Sequence, residues 1–104
     1  MQYIGVEIDD ESFNKIRNIE INFVEIMDYL WEHTSKDQYP WLWGIDSYGY
    51  TVFNIHQIGY LSEELDRLQS LVKNNDTLRG QIISFSDTII REMKQHLYLK
   101  FIGD

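Results

Sequence analysis

The sequence predicts an α+β domain in which three helices pack on a small antiparallel sheet formed by an N-terminal hairpin and a C-terminal strand. Apolar and polar residues alternate at both ends of the 104-residue chain, as in strands with one buried face. Between these ends, three segments repeat apolar residues at spacings of three and four, as in amphipathic helices. A chain of this length supports one hydrophobic core, so residues 1–104 are predicted to form a single domain.

The N-terminal hairpin is predicted from two short segments with the period of a strand. Apolar side chains occupy alternate positions in residues 2–8, and a weaker form of the pattern recurs in residues 16–21. The segment between them, Asp9-Asp10-Glu11-Ser12, is typical of a turn. We therefore pair the two segments as antiparallel strands.

The first helix is predicted to begin at Asn22, which is a favourable N-cap residue. Glu25 stands three residues further on, where its carboxylate can complete a capping box. Phe23, Ile26, Met27, Leu30 and Trp31 then form an apolar stripe at helical spacing. The helix is expected to end near residues 34–35.

An aromatic loop is predicted from Lys36 to about Thr51, because the only proline and two glycines interrupt any regular period. Residues 39–60 hold seven of the fifteen aromatic residues. Two roles are open for them, core packing and partner binding. Trp41, Trp43, Val52 and Phe53 are the candidates for sealing the core, and Tyr48 and Tyr50, beside Gly49, are expected to be exposed.

Two further helices and a final strand follow. Ile58, Leu61, Leu65, Leu68 and Val72 predict a helix that ends near Lys73, and Leu78, Ile82, Phe85, Ile89, Met93 and Leu97 predict another, capped by Asp76 or Thr77. Residues 96–102 change to alternation, which predicts a strand that pairs with the first one.

Two segments carry a resemblance to known proteins. Residues 39–54 resemble the signature YPLL-x-x-ID-x-YG-x-TVFN, and residues 96–104 resemble the ending HLYLKFIGD. Together they are similar to a group of small uncharacterised bacterial proteins. This chain departs from that pattern at Trp41, Trp43 and Tyr50. The group has no assigned chemistry, so the resemblance implies no reaction.

The distribution of charge favours a basic protein partner. The net charge is −8, with −10 in residues 1–66 (thirteen acids, three bases) and +2 in residues 67–104 (four acids, six bases). Such a field repels phosphate groups, which disfavours direct binding to nucleic acid or to anionic membranes. The chain has no cysteine, and we find no export signal or membrane-spanning run, which together predict a cytoplasmic protein.

No motif predicts a cofactor or a metal site. Phosphate-binding glycine loops are absent, and His33, His56 and His96 lack the spacing of a helical zinc site. The carboxylates at 9–11 and at Glu63, Glu64 and Asp66 could serve acid–base chemistry, but the latter three are expected on the solvated face of a helix. A small hydrolase or ligand-binding enzyme would use Asp46, Ser47 and His56. The segment from Asp46 to Gly49 has the chemistry of a turn in its own right, so the structural interpretation of Asp46 is favoured.

The leading functional hypothesis is a non-enzymatic inhibitor of the immunity or antitoxin kind, which blocks a basic partner such as a nuclease toxin. Complementary charge accelerates and selects such an encounter. The candidate partner-binding residues are Asp9, Asp10, Glu11, Glu25, Asp28 and Glu32 for steering, and Trp43, Asp46, Tyr48 and Tyr50 for contact. A homo-oligomer, such as a dimer joined through the aromatic loop, is a further alternative.

Overall fold

The computed structural model describes residues 3–104, which contain four strands and four helices. The strands are β1 (Ile4–Asp9), β2 (Lys15–Asn18), β3 (Tyr50–Phe53) and β4 (Tyr98–Gly103). The helices are α1 (Phe23–His33), α2 (Pro40–Trp43), α3 (Ile55–Leu71) and α4 (Asp76–Glu92).

The strands form one antiparallel sheet in the order β2-β1-β4-β3. β1 and β4, from the two ends of the chain, pair at its centre over six positions, among them Val6 with Phe101 and Glu7 with Lys100. The predicted α+β class is thus confirmed, with the N-terminal hairpin and the C-terminal strand in one sheet beneath the three longer helices.

The helices pack on one face of the sheet. Ile4, Val6, Ile8, Phe53, Leu99 and Phe101 are buried on that face. The ring of Phe23 on α1 lies 5.1 Å from the Phe85 ring on α4 and 4.8 Å from the Phe101 ring on β4, so one aromatic cluster joins both layers. Since side chains alternate along a strand, the residues between these positions project from the opposite face.

The predicted aromatic loop is more regular than its proline and glycines suggested. It contains α2, a single turn with Pro40 at its first position, where the missing N–H costs nothing. It also leads into β3, a four-residue edge strand whose period is too short to stand out in sequence. Val52, expected in the core, is 39% exposed, because it lies on β3 opposite Lys100 on the far face.

Several element boundaries differ from those predicted. Asn22 precedes α1 but makes no side-chain cap hydrogen bond, so the predicted capping box with Glu25 is wrong. A complete capping box instead joins Asn54 and Gln57 at the start of α3. The side chain of Asn75, rather than Asp76 or Thr77, caps α4.

The predicted ends of three elements also shift. α4 ends at Glu92 rather than near Leu97, and β2 is four residues long and ends at Asn18 rather than at Ile21. Asp9, expected in a turn, is the last residue of β1. The N-terminal strand was predicted to include Gln2, which lies outside the described residues.

The loop between α2 and β3 holds the end of β4 in place. Asp46 Oδ1 accepts the Tyr48 N–H at 2.8 Å, and the Asp46 N–H donates to Thr51 Oγ1 at 2.8 Å. The Gly103 N–H donates to the Gly49 carbonyl at 2.7 Å. A Cβ on Gly103 would overlap the backbone of this loop, so the glycine allows the close approach. None of the helices within residues 3–104 has the length and hydropathy of a membrane-spanning segment.

Candidate functional site

The face of the sheet opposite the helices, here called the open face, combines exposed aromatic rings with buried carboxylates. It is formed by Gly5, Glu7 and Asp9 of β1, Tyr98, Lys100 and Ile102 of β4, and Tyr50 and Val52 of β3. These residues alternate with the core residues, and their cross-strand pairing places them side by side.

Two strongly exposed aromatic rings, those of Tyr3 and Tyr50, stand on the open face. The Tyr3 ring lies over Gly5, where its Cε1 atom would be 3.3 Å from an added Cβ. The Tyr50 ring lies under the Lys100 ammonium, at 4.4 Å from its centroid. Tyr3 is 65% exposed and Tyr50 is 71% exposed. Exposed rings at this density on one side of a small domain are typical of a contact surface.

A ring pair and an unusual backbone conformation mark the end of the open face. The Phe13 ring lies 4.8 Å from the ring of Tyr98, the cross-strand partner of Asp9. Phe13 has a φ of 64°, in the left-handed region that a bulky residue seldom adopts. Strain of this kind persists only where the surrounding structure enforces it, and it concentrates at functional sites.

Glu7 and Asp9 form a buried carboxylate pair between these aromatic groups. Glu7 is 9% exposed, and Asp9 is fully buried. Among residues 3–104, no group other than the Glu7 carboxyl is placed to donate a hydrogen bond to either oxygen of Asp9. The Glu7 carboxyl lies close enough to donate to Asp9, but it can do so only when it holds a proton. The pair is therefore incompletely satisfied.

The pKa of Glu7 is raised above its ordinary value. Burial is the largest cause, followed by the hydrogen bond to Asp9 and the negative charge of Asp9, while Lys100 and Lys15 act in the opposite direction. Neither lysine comes within ion-pairing distance of the two carboxyl groups, and the Lys100 ammonium is engaged by the Tyr50 ring. The pair thus lacks a direct cationic partner in the described part of the chain.

A cavity of about 170 Å³ opens beside Glu7. Tyr3, Asn18, Glu20 and Ile102 are among the residues that line it, together with the strand around Gly5 and Glu7. Glu20 is exposed, so it stands at the solvent side of this cavity. The cavity joins an aromatic ring, an amide and two carboxylates, which is the chemistry of a cation site.

The other acids of the predicted steering set have different roles. Asp10 Oδ1 accepts the N–H groups of Ser12 and Asn14, both at 2.9 Å, and thereby shapes the β1–β2 turn. Glu11 is exposed, with His96 Nδ1 at 3.9 Å from its Oε2. Asp9 is buried in β1, so the prediction that the whole 9–11 segment forms an exposed acidic turn is wrong.

The acids of the first helix lie on the other layer of the molecule. Glu25, Asp28 and Glu32 are exposed along the solvent side of α1, which packs on the covered face of the sheet. Tyr48 lies in the loop before β3 and is 78% exposed. Tyr50 is the first residue of β3 itself. The structure therefore separates the helical acids from Tyr50 and the open face.

Trp43 has a structural contact. Its indole N–H donates to Thr34 Oγ1 at 2.9 Å, which ties α2 to the end of α1, and the side chain is half-buried. Trp41 is also half-buried and stacks on Tyr60, with ring centroids 5.3 Å apart. Phe53 is buried as predicted, but Tyr39, Leu42 and Ile45 seal more of the core than the two tryptophans.

The residues proposed for a hydrolase occupy unlike environments. Asp46 organises the turn before β3 through its hydrogen bond to the Tyr48 N–H, as the turn interpretation predicts. Ser47 is half-buried in the same turn, and its carbonyl accepts the Asp104 N–H at 3.1 Å. His56 is exposed on the first turn of α3.

Sequence reasoning missed the role of Glu64. It was expected on a solvated helix face, but it is buried, and this expectation is wrong. Its Oε2 accepts the Trp41 N–H at 3.0 Å, and its Oε1 accepts the Leu42 N–H at 2.9 Å. Glu63 and Asp66, in contrast, are exposed. The Glu64 carboxylate therefore caps α2 from the neighbouring helix.

A larger groove, of about 410 Å³, lies between residues 19–22 and α4. Its lining is mainly neutral and polar, with Glu20 as the ionisable group, so it offers little acid–base chemistry. Within residues 3–104, no cluster of three histidine or acidic side chains has the geometry to hold a metal ion.

Comparison with the models of known protein families, with curated proteins and with solved structures finds no match to this chain. The resemblance of residues 39–54 and 96–104 to the bacterial group therefore stays a prediction. The chemistry of the open face is the basis for the functional argument below.

Proposed function

We propose that this protein is a non-enzymatic inhibitor that binds and blocks a basic protein partner, in the manner of an immunity protein or antitoxin, and that the open face makes the contact. The observation that supports this most is the buried Glu7 and Asp9 pair, which forms no ion pair with a lysine or arginine in residues 3–104 and lies among exposed aromatic rings. An anionic centre within an aromatic surface is complementary to a basic protein.

The aromatic residues supply the binding energy in this proposal. Tyrosine rings bury a large area and lose few rotamers, so they are enriched among the residues that dominate interfaces. The Tyr50 ring is held under the Lys100 ammonium before any partner arrives, which lowers the entropic cost of contact. Tyr48, which is 78% exposed in the loop before β3, adds a further ring for contact in this proposal.

The remaining acids act at a distance. The net charge of −8 and the exposed Glu25, Asp28 and Glu32 attract a cationic protein before contact, although α1 is not part of the open face. Steering of this kind raises the association rate and weakens with added salt. A nuclease is a suitable target class, since its substrate cleft is cationic.

The enzyme alternative receives less support. It requires Asp46, Ser47 and His56 to act together, whereas Asp46 serves the loop and His56 is exposed on a helix. The homo-oligomer alternative would use the same aromatic residues, so the experiment must separate it from binding to a different protein.

The test uses the basic proteins encoded by the genes adjacent to that of this chain. Each is purified, and its affinity for the wild type and two variants is measured by titration calorimetry. Tyr50→Ala is expected to weaken binding about tenfold or more, as for a central aromatic contact. Tyr60→Ala is the matched control, because Tyr60 is 57% exposed on α3, away from the open face.

Equal effects of the two variants on the affinity would contradict a contact through the open face. Failure of every adjacent basic protein to bind the wild type would contradict the inhibitor proposal itself. Sedimentation of the isolated protein completes the test, since a stable dimer that Tyr50→Ala dissociates would favour the homo-oligomer instead.

A further inference from the structure

We propose that the cavity beside Glu7 is a receptor for one arginine side chain of the partner, an inference that rests on the proposed function. The guanidinium group would lie against the Glu7 carboxylate, with the Tyr3 ring at its side and Glu20 at the entrance. The inference names the chemical group recognised, which the proposed function leaves open.

Two buried carboxyl groups, those of Glu7 and Asp9, lie next to each other without an ion-pair partner in residues 3–104. Asp9 is fully buried, and in residues 3–104 no group other than the Glu7 carboxyl is placed to donate a hydrogen bond to it. Glu7 beside it is 9% exposed. Carboxylates in such positions are normally paired or hydrogen-bonded, because desolvation of an unpaired charge is costly. A cation that enters next to Glu7 would supply the missing positive charge.

The second argument is size and shape. At about 170 Å³ the cavity is smaller than the roughly 300–1,000 Å³ typical of sites for drug-sized ligands, so it suits a single side chain. Gly5 brings the cavity close to the strand, because it has no side chain to fill the space under Tyr3. The Tyr3 ring in the lining offers an aromatic face on which a planar group can stack.

The third argument is the charge of the surrounding groups. Three charged residues surround Glu7: Asp9 on the same strand, Lys15 on β2 and Lys100 on β4. Glu20, which follows β2, lies at the rim of the cavity. The two lysines lower the pKa of Glu7, yet neither forms an ion pair with it. Three acids against two bases, neither of which forms an ion pair with Glu7 or Asp9 in residues 3–104, leave the site with a net negative charge.

Arginine fits these features better than lysine. Its guanidinium is planar, weakly hydrated and able to donate two parallel hydrogen bonds to a carboxylate, and it stacks on aromatic rings. The lysine ammonium is a strongly hydrated point charge that gains less from a flat aromatic wall. The Tyr3 ring is therefore the feature that selects arginine.

Binding of the cation should release a proton. Burial and Asp9 raise the pKa of Glu7, so Glu7 keeps its proton to a higher pH than an ordinary glutamate does. A guanidinium beside Glu7 favours the ionised form and lowers this pKa. Affinity is therefore expected to fall as pH decreases through the raised pKa, with a proton released on binding in that range.

The test uses the full chain labelled with ¹³C and ¹⁵N, with N-acetyl-arginine amide as the probe. The Glu7 carboxyl resonance and the Gly5 and Asn18 amides are expected to shift saturably, with a dissociation constant on the order of millimolar. Glu7→Gln should weaken binding about tenfold. Glu63→Gln, an equal change of charge at an exposed position of α3, should leave it within about twofold.

Two further probes test the selectivity. N-acetyl-citrulline amide, which matches the probe in shape without its charge, should cause no saturable shift at Glu7. N-acetyl-lysine amide should bind at least about threefold more weakly, and equal binding would overturn the assignment to arginine. Glu20→Gln provides a second variant at an exposed position that leaves the core intact, with an expected two- to threefold loss.

The outcomes separate this inference from the proposed function. A Glu7 resonance that does not move at high concentrations of the arginine probe would overturn the receptor, even if a basic partner still binds through Tyr50. Saturable binding of the probe with no basic partner found would support the receptor and contradict the inhibitor. The two proposals therefore fail by different measurements.

Discussion

Glu64, on α3 where it meets α2, and Asp9, on the open face, are both buried carboxylates, but their hydrogen bonding differs. Glu64 accepts two backbone N–H groups of α2, at 2.9 and 3.0 Å. Among residues 3–104, Asp9 has no hydrogen-bond donor other than the Glu7 carboxyl. A satisfied carboxylate contributes to the fold, whereas an unsatisfied one reduces stability.

The difference follows from the backbone around each residue. A helix begins with N–H groups that have no partner within the helix, and the short α2 presents those of Trp41 and Leu42 to Glu64. β1 lies between β2 and β4, so its own N–H and C=O groups are used in two ladders. A central strand therefore leaves Asp9 without a nearby backbone donor.

The largest expected effect tests the satisfied side of this comparison. Glu64→Ala removes the acceptor of two buried N–H groups and frees α2 from α3, so the free energy of unfolding should fall by about 2–4 kcal/mol. Glu63→Ala, at the exposed neighbouring position, should change it by no more than about 0.5 kcal/mol. Urea denaturation followed by tryptophan fluorescence measures both.

Tryptophan fluorescence suits this measurement because Trp41 and Trp43 both lie in α2. Equal stability of the Glu64 and Glu63 variants would show that the hydrogen bonds to α2 add little. The contrast between the two buried carboxylates would then lose its basis.

A smaller effect tests how the end of the open face is held. Gly103→Ala places a methyl group against the backbone at Ser47 and Tyr48, and overpacking of this kind should cost about 1–3 kcal/mol. Gly80→Ala is the matched control, since a Cβ there meets no atom within 4 Å and the helix gains up to about 1 kcal/mol. Thermal unfolding should therefore move in opposite directions for the two variants.

If both variants raised the unfolding temperature, the added methyl group at residue 103 would not destabilise the protein, and the close approach of β4 to the loop would not limit the size of this residue. If both lowered it, the open space beside Gly80 would be in doubt. Only opposite shifts support the geometry described for both positions.

Much of the fold was predictable because long periodic segments carry strong signals. The apolar stripes of α1, α3 and α4 and the alternation in β1 and β4 placed the three longer helices and the central strand pair correctly. α2 and β3 were missed because four residues contain barely one period. Asn54, which caps α3, was overlooked because it follows directly on β3.

The site was less predictable, since burial of a charged residue depends on tertiary contacts. Glu64 has the sequence context of a solvated helix face, and only the position of α2 shows why it is buried. For Asp9, a signal was available in the sequence. If the strand that contains Ile4, Val6 and Ile8 is extended by one residue, Asp9 falls on the opposite face from these three, next to Glu7. The cavity depends on Tyr3 and Glu20, which no local pattern connects.

The smallest expected effect tests the unsatisfied side of the comparison and has the opposite sign. The pKa of Glu7 is raised, so the folded protein binds its proton more tightly than the unfolded chain does. The free energy of unfolding therefore falls as pH rises from the ordinary pKa of a glutamate through the raised value. Above that range, the destabilisation by ionised Glu7 is fully present.

Glu7→Gln should remove this loss, because the amide is neutral at every pH and can donate a hydrogen bond to Asp9. At neutral pH the variant should be about 1 kcal/mol more stable than the wild type, and at acidic pH the difference should vanish. Glu11→Gln, an exposed acid in the same hairpin, should show no comparable gain. Urea denaturation across the pH range tests this, and a Glu7→Gln variant that is less stable at neutral pH would mean that the carboxylate is satisfied after all, which would place Glu7 and Asp9 in the same class as Glu64.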